Sequence, residues 1–122
     1  MMQTPPPLMH AVLIRHFGGP EVVELADIPV PVPGDGELLL KVEAASLNPV
    51  DWKIRSGKYP VVKEDKLPFV LGRDFSATVL QSDDAALPAG TLVHGMADMT
   101  HGALAQYTIA RPEQVAPVPG TL

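Results

Sequence analysis

The sequence predicts a small, mainly β domain built as a partly open barrel, with one or two short helices. Three observations lead there. The chain has 122 residues, which suits one domain and no more. Its 46% hydrophobic and 19% charged residues supply a packed core. Its 14 prolines and 10 glycines break long helices and favour short strands joined by turns.

Residues 1–9, with Pro5-Pro6-Pro7, read as an extended, flexible arm, and residues 10–122 as the domain. "HAVLIRHFG", His10 to Gly18, reads as a strand that ends at Gly18-Gly19-Pro20. The next stretch carries Pro29, Pro31 and Pro33. It suits an edge strand or an extended segment, because proline cannot donate to a ladder. Gly34-Asp35-Gly36 is a turn signal. "ELLLKVEAASL" then alternates, with Leu38, Leu40, Val42 and Ala44 on one side and Glu37, Lys41 and Glu43 on the other. That period is a strand's.

"NPVDWKIRSG" changes character. Asn48 is a good N-cap and Pro49 is pre-set for the first helical position. Asp51 favours the positive end of the helix dipole and stands at i,i+4 to Arg55. Gly57 can close the turn. The signals predict a helix of about two turns.

After a proline-bounded loop comes "LPFVLGRDFSATVL", Leu67 to Leu80, which reads as one strand. Its rows are Leu71, Arg73, Phe75, Ala77, Val79 and Gly72, Asp74, Ser76, Thr78. Asp74 falls on the polar row, but Arg73 falls on the apolar one. "DDAALPAG" is a loop, "TLVHGM" and "ALAQYTIA" are strands, and "RPEQVAPVPGTL" is a proline-punctuated tail.

Several function classes are excluded by composition. The net charge of −5 and the lack of a basic run argue against nucleic-acid binding. With no cysteine there are no disulfides and no thiolate zinc sites. "MMQTPPPLMH" lacks the basic start and apolar core of a signal peptide, and no apolar run reaches the length of a membrane span. A cytoplasmic protein without membrane or nucleic-acid partners is expected. His10, His16, His94 and His101 lack metal-site spacing. There is no G-x-S-x-G elbow, and Gly34-Asp35-Gly36 leads into a strand rather than a phosphate-binding helix. Asp83-Asp84 is a solvated loop pair. Residue chemistry alone stops at a soluble β-rich domain.

Four segments go further. "FGGPEVVEL", "IPVPVPGDGELLLKVEAASLNPVDWKIRSGKYP", "LPFVLGRDFSATV" and "HGALAQYTIARPEQVAPVP" occur in that order. Together they resemble the N-terminal part of medium-chain dehydrogenases/reductases, in the zinc-free quinone oxidoreductase branch. "NPVDWKIRSG" is the most specific piece. "LPFVLGRD" resembles the subgroup that includes reticulon-interacting oxidoreductases and fungal enoyl reductases. The usual V-G-x-x-V and G-D-x-V motifs are degraded here to "LQSDDAALPAGTLVHG".

The resemblance implies a GroES-like barrel and NADPH- or NADH-dependent reduction of quinones or conjugated enones, by a cytoplasmic homodimer without zinc. In zinc relatives the strand at Gly72-Arg73-Asp74 carries Gly-His-Glu, whose histidine binds the metal, and the first cysteine ligand falls at Asn48. A guanidinium cannot ligate a cation. By the same resemblance Asn48 lies near the nicotinamide, while Tyr59 and Arg73 face the acceptor oxygen. Each has a structural reading as well: Asn48 as a helix cap, Tyr59 as a packed loop aromatic, and Arg73 paired with a loop carboxylate at the barrel rim. The segment from Gly102 to Tyr107 matches a strand that is structural in the family. The chain stops at "VPGTL", where the family's nucleotide-binding domain begins, so the isolated chain is expected to be inactive, and marginal or associating. The alternatives are a stand-alone binding module from a truncated gene, and a co-chaperonin, which shares the barrel but not the motifs.

Overall fold

The computed structural model describes residues 4–121. Their strands form two antiparallel sheets without closing a barrel. The first sheet has the order β2-β1-β4, from β1 (Leu8–Ile14), β2 (Val23–Pro29) and β4 (Phe69–Val70). The second has the order β7-β3-β5-β6-β8. Its strands are β3 (Leu38–Ser46), β5 (Asp74–Gln81), β6 (Leu92–Met96), β7 (Tyr107–Ala110) and β8 (Val115–Pro117). The one α-helix is α1 (Pro49–Arg55), and short 3-10 turns lie at Pro20–Val22, Glu64–Lys66 and Pro112–Gln114. Among the described residues no helix is long and apolar enough to cross a membrane.

The chain's own patterning explains most of this. β2 is an edge strand, as suits its proline-rich end, and Pro29 is its last residue. In β3, Leu38 and Leu40 face a core with Phe75, Ala77, Val79 and Val93. Leu39 points the other way and is equally buried, against Leu80 and Ile109. That side is covered because the proline stretches lie over it. Pro7 O accepts the Val30 N–H at 3.1 Å, and Thr4–Pro7 and Val30–Pro33 line one cleft with Leu39. β1 begins at Leu8, inside the stretch read as a flexible arm, and ends at Ile14 rather than running to Gly18. Met9 is buried there, so residues 8 and 9 belong to the domain. Residues 1–3 of the arm lie outside the described residues.

The largest departure concerns Leu67–Leu80, which is not one strand. β4 belongs to the first sheet and β5 to the second, and the chain crosses between them at Leu71-Gly72-Arg73. Gly72 makes the crossing with φ of +96°, a conformation that side chains with a Cβ disfavour. The run read as the strand "ALAQYTIA" also shortens to Tyr107–Ala110, although Ala105 makes an isolated bridge to Ala11. Residues 103–106 instead tie the sheets together. Ala103 N–H donates to Gly72 O at 3.0 Å, Leu104 O accepts from Val12 N–H at 2.8 Å, and Gln106 O accepts from Val42 N–H at 2.9 Å. Their expected structural role is thereby filled by backbone bonds.

Candidate active site

The site is built where β3 runs into α1. Asn48 is the N-cap, with extended backbone angles, and Pro49 is the first helical residue. Asp51, three residues on, reaches back so that its Oδ2 accepts the Asn48 N–H at 2.9 Å. This is the acidic half of a capping box. The second oxygen, Oδ1, accepts the Gly72 N–H at 2.9 Å. Asp51 is thus a buried carboxylate held by two main-chain donors. Its expected partner Arg55 lies elsewhere, with Nη1 donating to Gly18 O at 3.1 Å. The i,i+4 pair gives way because both Asp51 oxygens face backbone N–H groups.

On its other side Asn48 meets Asp74. The Asn48 Nδ2 donates to Asp74 Oδ2 at 2.8 Å and lies 3.3 Å from Ser46 Oγ. Ser46 Oγ in turn donates to Asp74 Oδ2 at 3.2 Å. The three groups meet because Ser46 and Asp74 are register partners at the end of β3 and the start of β5. Asp74 therefore serves a polar constellation rather than open solvent. A shallow depression of about 300 Å³ lies beside it, lined by Ala44, Ala45, Ser46, Phe75 and Ser76 together with Asp74. Leu47, next to Asn48, and Met96, the register partner of Asp74, are both exposed apolar residues.

Arg73 lies in the crossing just before β5, outside the strand whose alternation was read for it, and is buried at 3% exposure. Its guanidinium lies over the Phe69 ring, 5.1 Å from the centroid. Nη1 donates to Asp98 O and Nη2 to Val70 O at 3.4 Å, while Nε is buried without a partner. The partner expected at the barrel rim, a loop carboxylate, is replaced by a loop carbonyl. Burial pulls the guanidinium below its ordinary pKa. Asp51 and then Asp98 act against that pull, with Tyr59 and Asp74 adding smaller contributions.

Tyr59 follows the helix, half-buried, and packs on the cluster of Ile14, Ile54, Val62, Phe69 and Leu71. It is thus a packed aromatic, and it lies close enough to Arg73 to bear on its charge. The structure brings Asn48 to Asp74 and Tyr59 to the surroundings of Arg73. Asp74 was missed as a site residue because the strand register that sets it against Ser46 is not visible in one sequence. Trp52 is half-exposed on α1. Among the described residues no three His, Asp or Glu side chains gather as a metal site would need.

A family model described as the alcohol dehydrogenase GroES-like domain matches residues 34–120. Human quinone oxidoreductase is 37% identical over 124 aligned positions, covering 99% of this chain and 37% of that protein. A chloroplastic quinone-oxidoreductase homologue of Spinacia oleracea is also 37% identical, covering 93% of this chain and 38% of its own length. Among solved structures, the quinone oxidoreductase from Coxiella burnetii superposes with a TM-score of 0.87 at 38% identity, over 94% of this chain and 38% of that one. A mycobacterial protein complexed with NADPH matches with a TM-score of 0.76 at 34% identity, over 92% of this chain and 33% of that one. The chain thus spans under two-fifths of each of these relatives.

Proposed function

The chain belongs to the alcohol dehydrogenase GroES-like domain family, on the quinone oxidoreductase side of the medium-chain dehydrogenases/reductases, and from that premise we propose that it is the substrate-side domain of a zinc-independent NAD(P)H oxidoreductase reducing quinones or conjugated enones. The observation that carries the reading is the 37% identity to human quinone oxidoreductase across 99% of this chain. The NADPH-bound neighbour supports the choice of cofactor.

The residues present fit a nicotinamide. A flat ring suits the open depression lined by Ala44, Ala45, Ser46, Asp74, Phe75 and Ser76, and a carboxamide suits the Asn48 amide, which bonds to Asp74 in that lining. When bound, the reduced nicotinamide supplies the hydride. The chain's own part is positioning and charge. Asn48 orients the carboxamide. The Tyr59 hydroxyl donates to the acceptor oxygen as negative charge develops on it. Arg73, buried with its Nη groups on carbonyls, favours that charge from behind rather than by direct contact. Zinc independence is supported by the donor set, since a guanidinium and an amide stand where the resemblance implies a histidine and a cysteine. A homodimer and a cytoplasmic location belong to the same reading and rest on likeness alone.

The test is direct. The complete protein carrying this chain is incubated with NADPH or NADH and an ortho-quinone or a conjugated enone, and nucleotide oxidation is followed. Turnover with either acceptor is expected. No oxidation with any pairing, together with no nucleotide binding, would favour a binding module instead.

A further inference from the structure

We propose that the cavity between the first sheet and β7 is a binding site for a small phenol, separate from the candidate active site and independent of the reading above. The cavity has a volume of about 210 Å³. Strand register sets its walls against one another. Val70 is paired with Leu13 and Ile28 with Met9, and Leu13 and Met9 are both buried. Partners across an antiparallel ladder share a face, as do residues two and four apart along a strand. Met9, Ile28 and Val70 therefore line the cavity from the inner face of the first sheet. Thr108 lines it from β7. It is paired with Leu40, whose side chain lies in the core, and is itself fully buried. Phe69, one residue before Val70, points to the other face of β4, into the cluster on which Tyr59 packs. The cavity and that cluster lie on opposite faces of β4.

Two buried polar atoms give the cavity its chemistry. Thr108 Oγ1 and His101 Nδ1 are both shut off from solvent without a hydrogen-bond partner, and both residues line the cavity. Asp98 Oδ1, 3.5 Å from Nδ1, is too distant for a good bond. A buried hydroxyl left without a partner is costly. The protein around Thr108 supplies none, and the cavity is the side from which one can come. A ligand hydroxyl suits both groups. It donates once and also accepts, so it matches the Thr108 hydroxyl and either tautomer of His101. A carboxylate would only accept and would need a cation, and among the described residues no Lys or Arg lines the cavity. The body of the ligand is set by Pro29, Pro31 and Pro68 in the same lining. Proline rings pack well on aromatic ones. A cavity of about 150 Å³ takes a benzene ring, so this one takes the ring together with its hydroxyl.

The test uses the complete protein carrying this chain, with 4-fluorophenol followed by ¹⁹F NMR. Saturable binding is expected with a Kd of about 0.1–1 mM, within what so few ligand atoms supply. Fluorobenzene, which lacks the hydroxyl, should bind at least about fivefold more weakly. Thr108→Val keeps the shape of the side chain and removes its oxygen. It should weaken 4-fluorophenol by at least about fivefold, to the level of fluorobenzene. Its urea midpoint should equal or exceed that of the wild type, since the group removed is a buried hydroxyl without a partner. Thr108→Ser keeps the oxygen and should hold affinity to within about threefold. A merely structural threonine would behave the other way, with stability lost in the valine variant and phenol affinity unmoved. No saturable binding would leave the cavity to water and overturn the proposal. Equal affinity for fluorobenzene would overturn it as well. Unchanged 4-fluorophenol affinity in folded Thr108→Val would put the phenol elsewhere, the candidate active site included, and a lowered urea midpoint in that variant would mean that the hydroxyl has a partner within the protein. Each of these results overturns the proposal and leaves the enzymatic reading standing.

Discussion

Asp51 Oδ1 accepts the N–H of Gly72 at 2.9 Å, and that single bond fastens the first turn of α1 to the point where the chain crosses between the two sheets. The other oxygen of the same carboxylate holds the Asn48 N–H. One buried side chain therefore sets the helix start and the crossing together, and with them Asn48 on one side and Arg73 on the other.

Replacing Asp51 with Asn should be costly despite the near-identical shape. An amide can accept at one of the two positions, but its NH₂ must then face a backbone N–H at the other. A buried donor is left unpaired, which costs about 1–3 kcal/mol. Urea denaturation of the Asp51→Asn chain should show a stability loss of that size. A midpoint equal to wild type would mean that the two bonds contribute nothing net.

Two glycines with nearly the same backbone angle separate conformational strain from crowding. Gly72 has φ of +96° and Gly90 has φ of +95°. A Cβ on Gly72 would stand 2.7 Å from Leu104 N and 2.8 Å from Leu104 Cγ, whereas a Cβ on Gly90 would meet nothing within 4 Å. Gly90→Ala should therefore lose about 1–2 kcal/mol from left-handed strain alone. Gly72→Ala adds the displacement of the 103–106 strip and should lose at least about 2 kcal/mol more, by analogy with overpacked cores. Equal thermal shifts for the two variants would contradict this assignment of the crossing.

Arg73→Lys should destabilise the chain by about 1–3 kcal/mol, because one ammonium cannot replace a planar fork that reaches the carbonyls of both Asp98 and Val70 while lying on Phe69. Its pH signature follows from the depressed pKa. The folded state binds this proton less tightly than the unfolded state. The burial penalty is thus present in full wherever both states are charged, and it is relieved only as pH rises into the strongly alkaline range. The deficit of Arg73→Lys relative to wild type, read from urea midpoints, should therefore show no contribution from Arg73 titration across neutral pH. Wild-type stability retained in the lysine variant would show that the guanidinium fork is dispensable.

How much of this was legible from residues alone divides along a physical line. Local signals were sufficient for α1, because cap, proline and terminal glycine lie within ten residues of one another. They were sufficient also for β3, where alternation is strong. Leu67–Leu80 failed because the pattern continues across Gly72 while the hydrogen-bond partners change sheet, and a period-two pattern cannot report its partner. Asp74 escaped for the same reason. Its role depends on being opposite Ser46 and near Asn48, which is a matter of register. Arg73 could be flagged as out of place on an apolar row, but the Asp98 carbonyl that accepts from it is 25 residues away in sequence.

The last prediction concerns the chemistry of the complete protein. A simple ketone or alcohol needs its oxygen strongly polarised, and metal-dependent enzymes use the cation as a Lewis acid for this. Here the groups near the proposed acceptor are a tyrosine hydroxyl and a guanidinium set back in the protein. Such groups stabilise an oxyanion by a few kcal/mol. That is enough where hydride addition spreads charge into an enolate or a hydroquinone, and too little where it stays on one alkoxide oxygen. Quinones or enones should thus be reduced with NAD(P)H, and ethanol oxidation should be negligible. Tyr59→Phe removes the one hydroxyl donor assigned to the acceptor oxygen while keeping the ring packed against Phe69 and Leu71. It should lower kcat/KM for an enone by about tenfold to a hundredfold, as the loss of an oxyanion donor does elsewhere, with little change in the urea midpoint. Full activity in Tyr59→Phe would remove Tyr59 from the reaction. Efficient ethanol oxidation would show that the oxygen is polarised by something other than these two side chains.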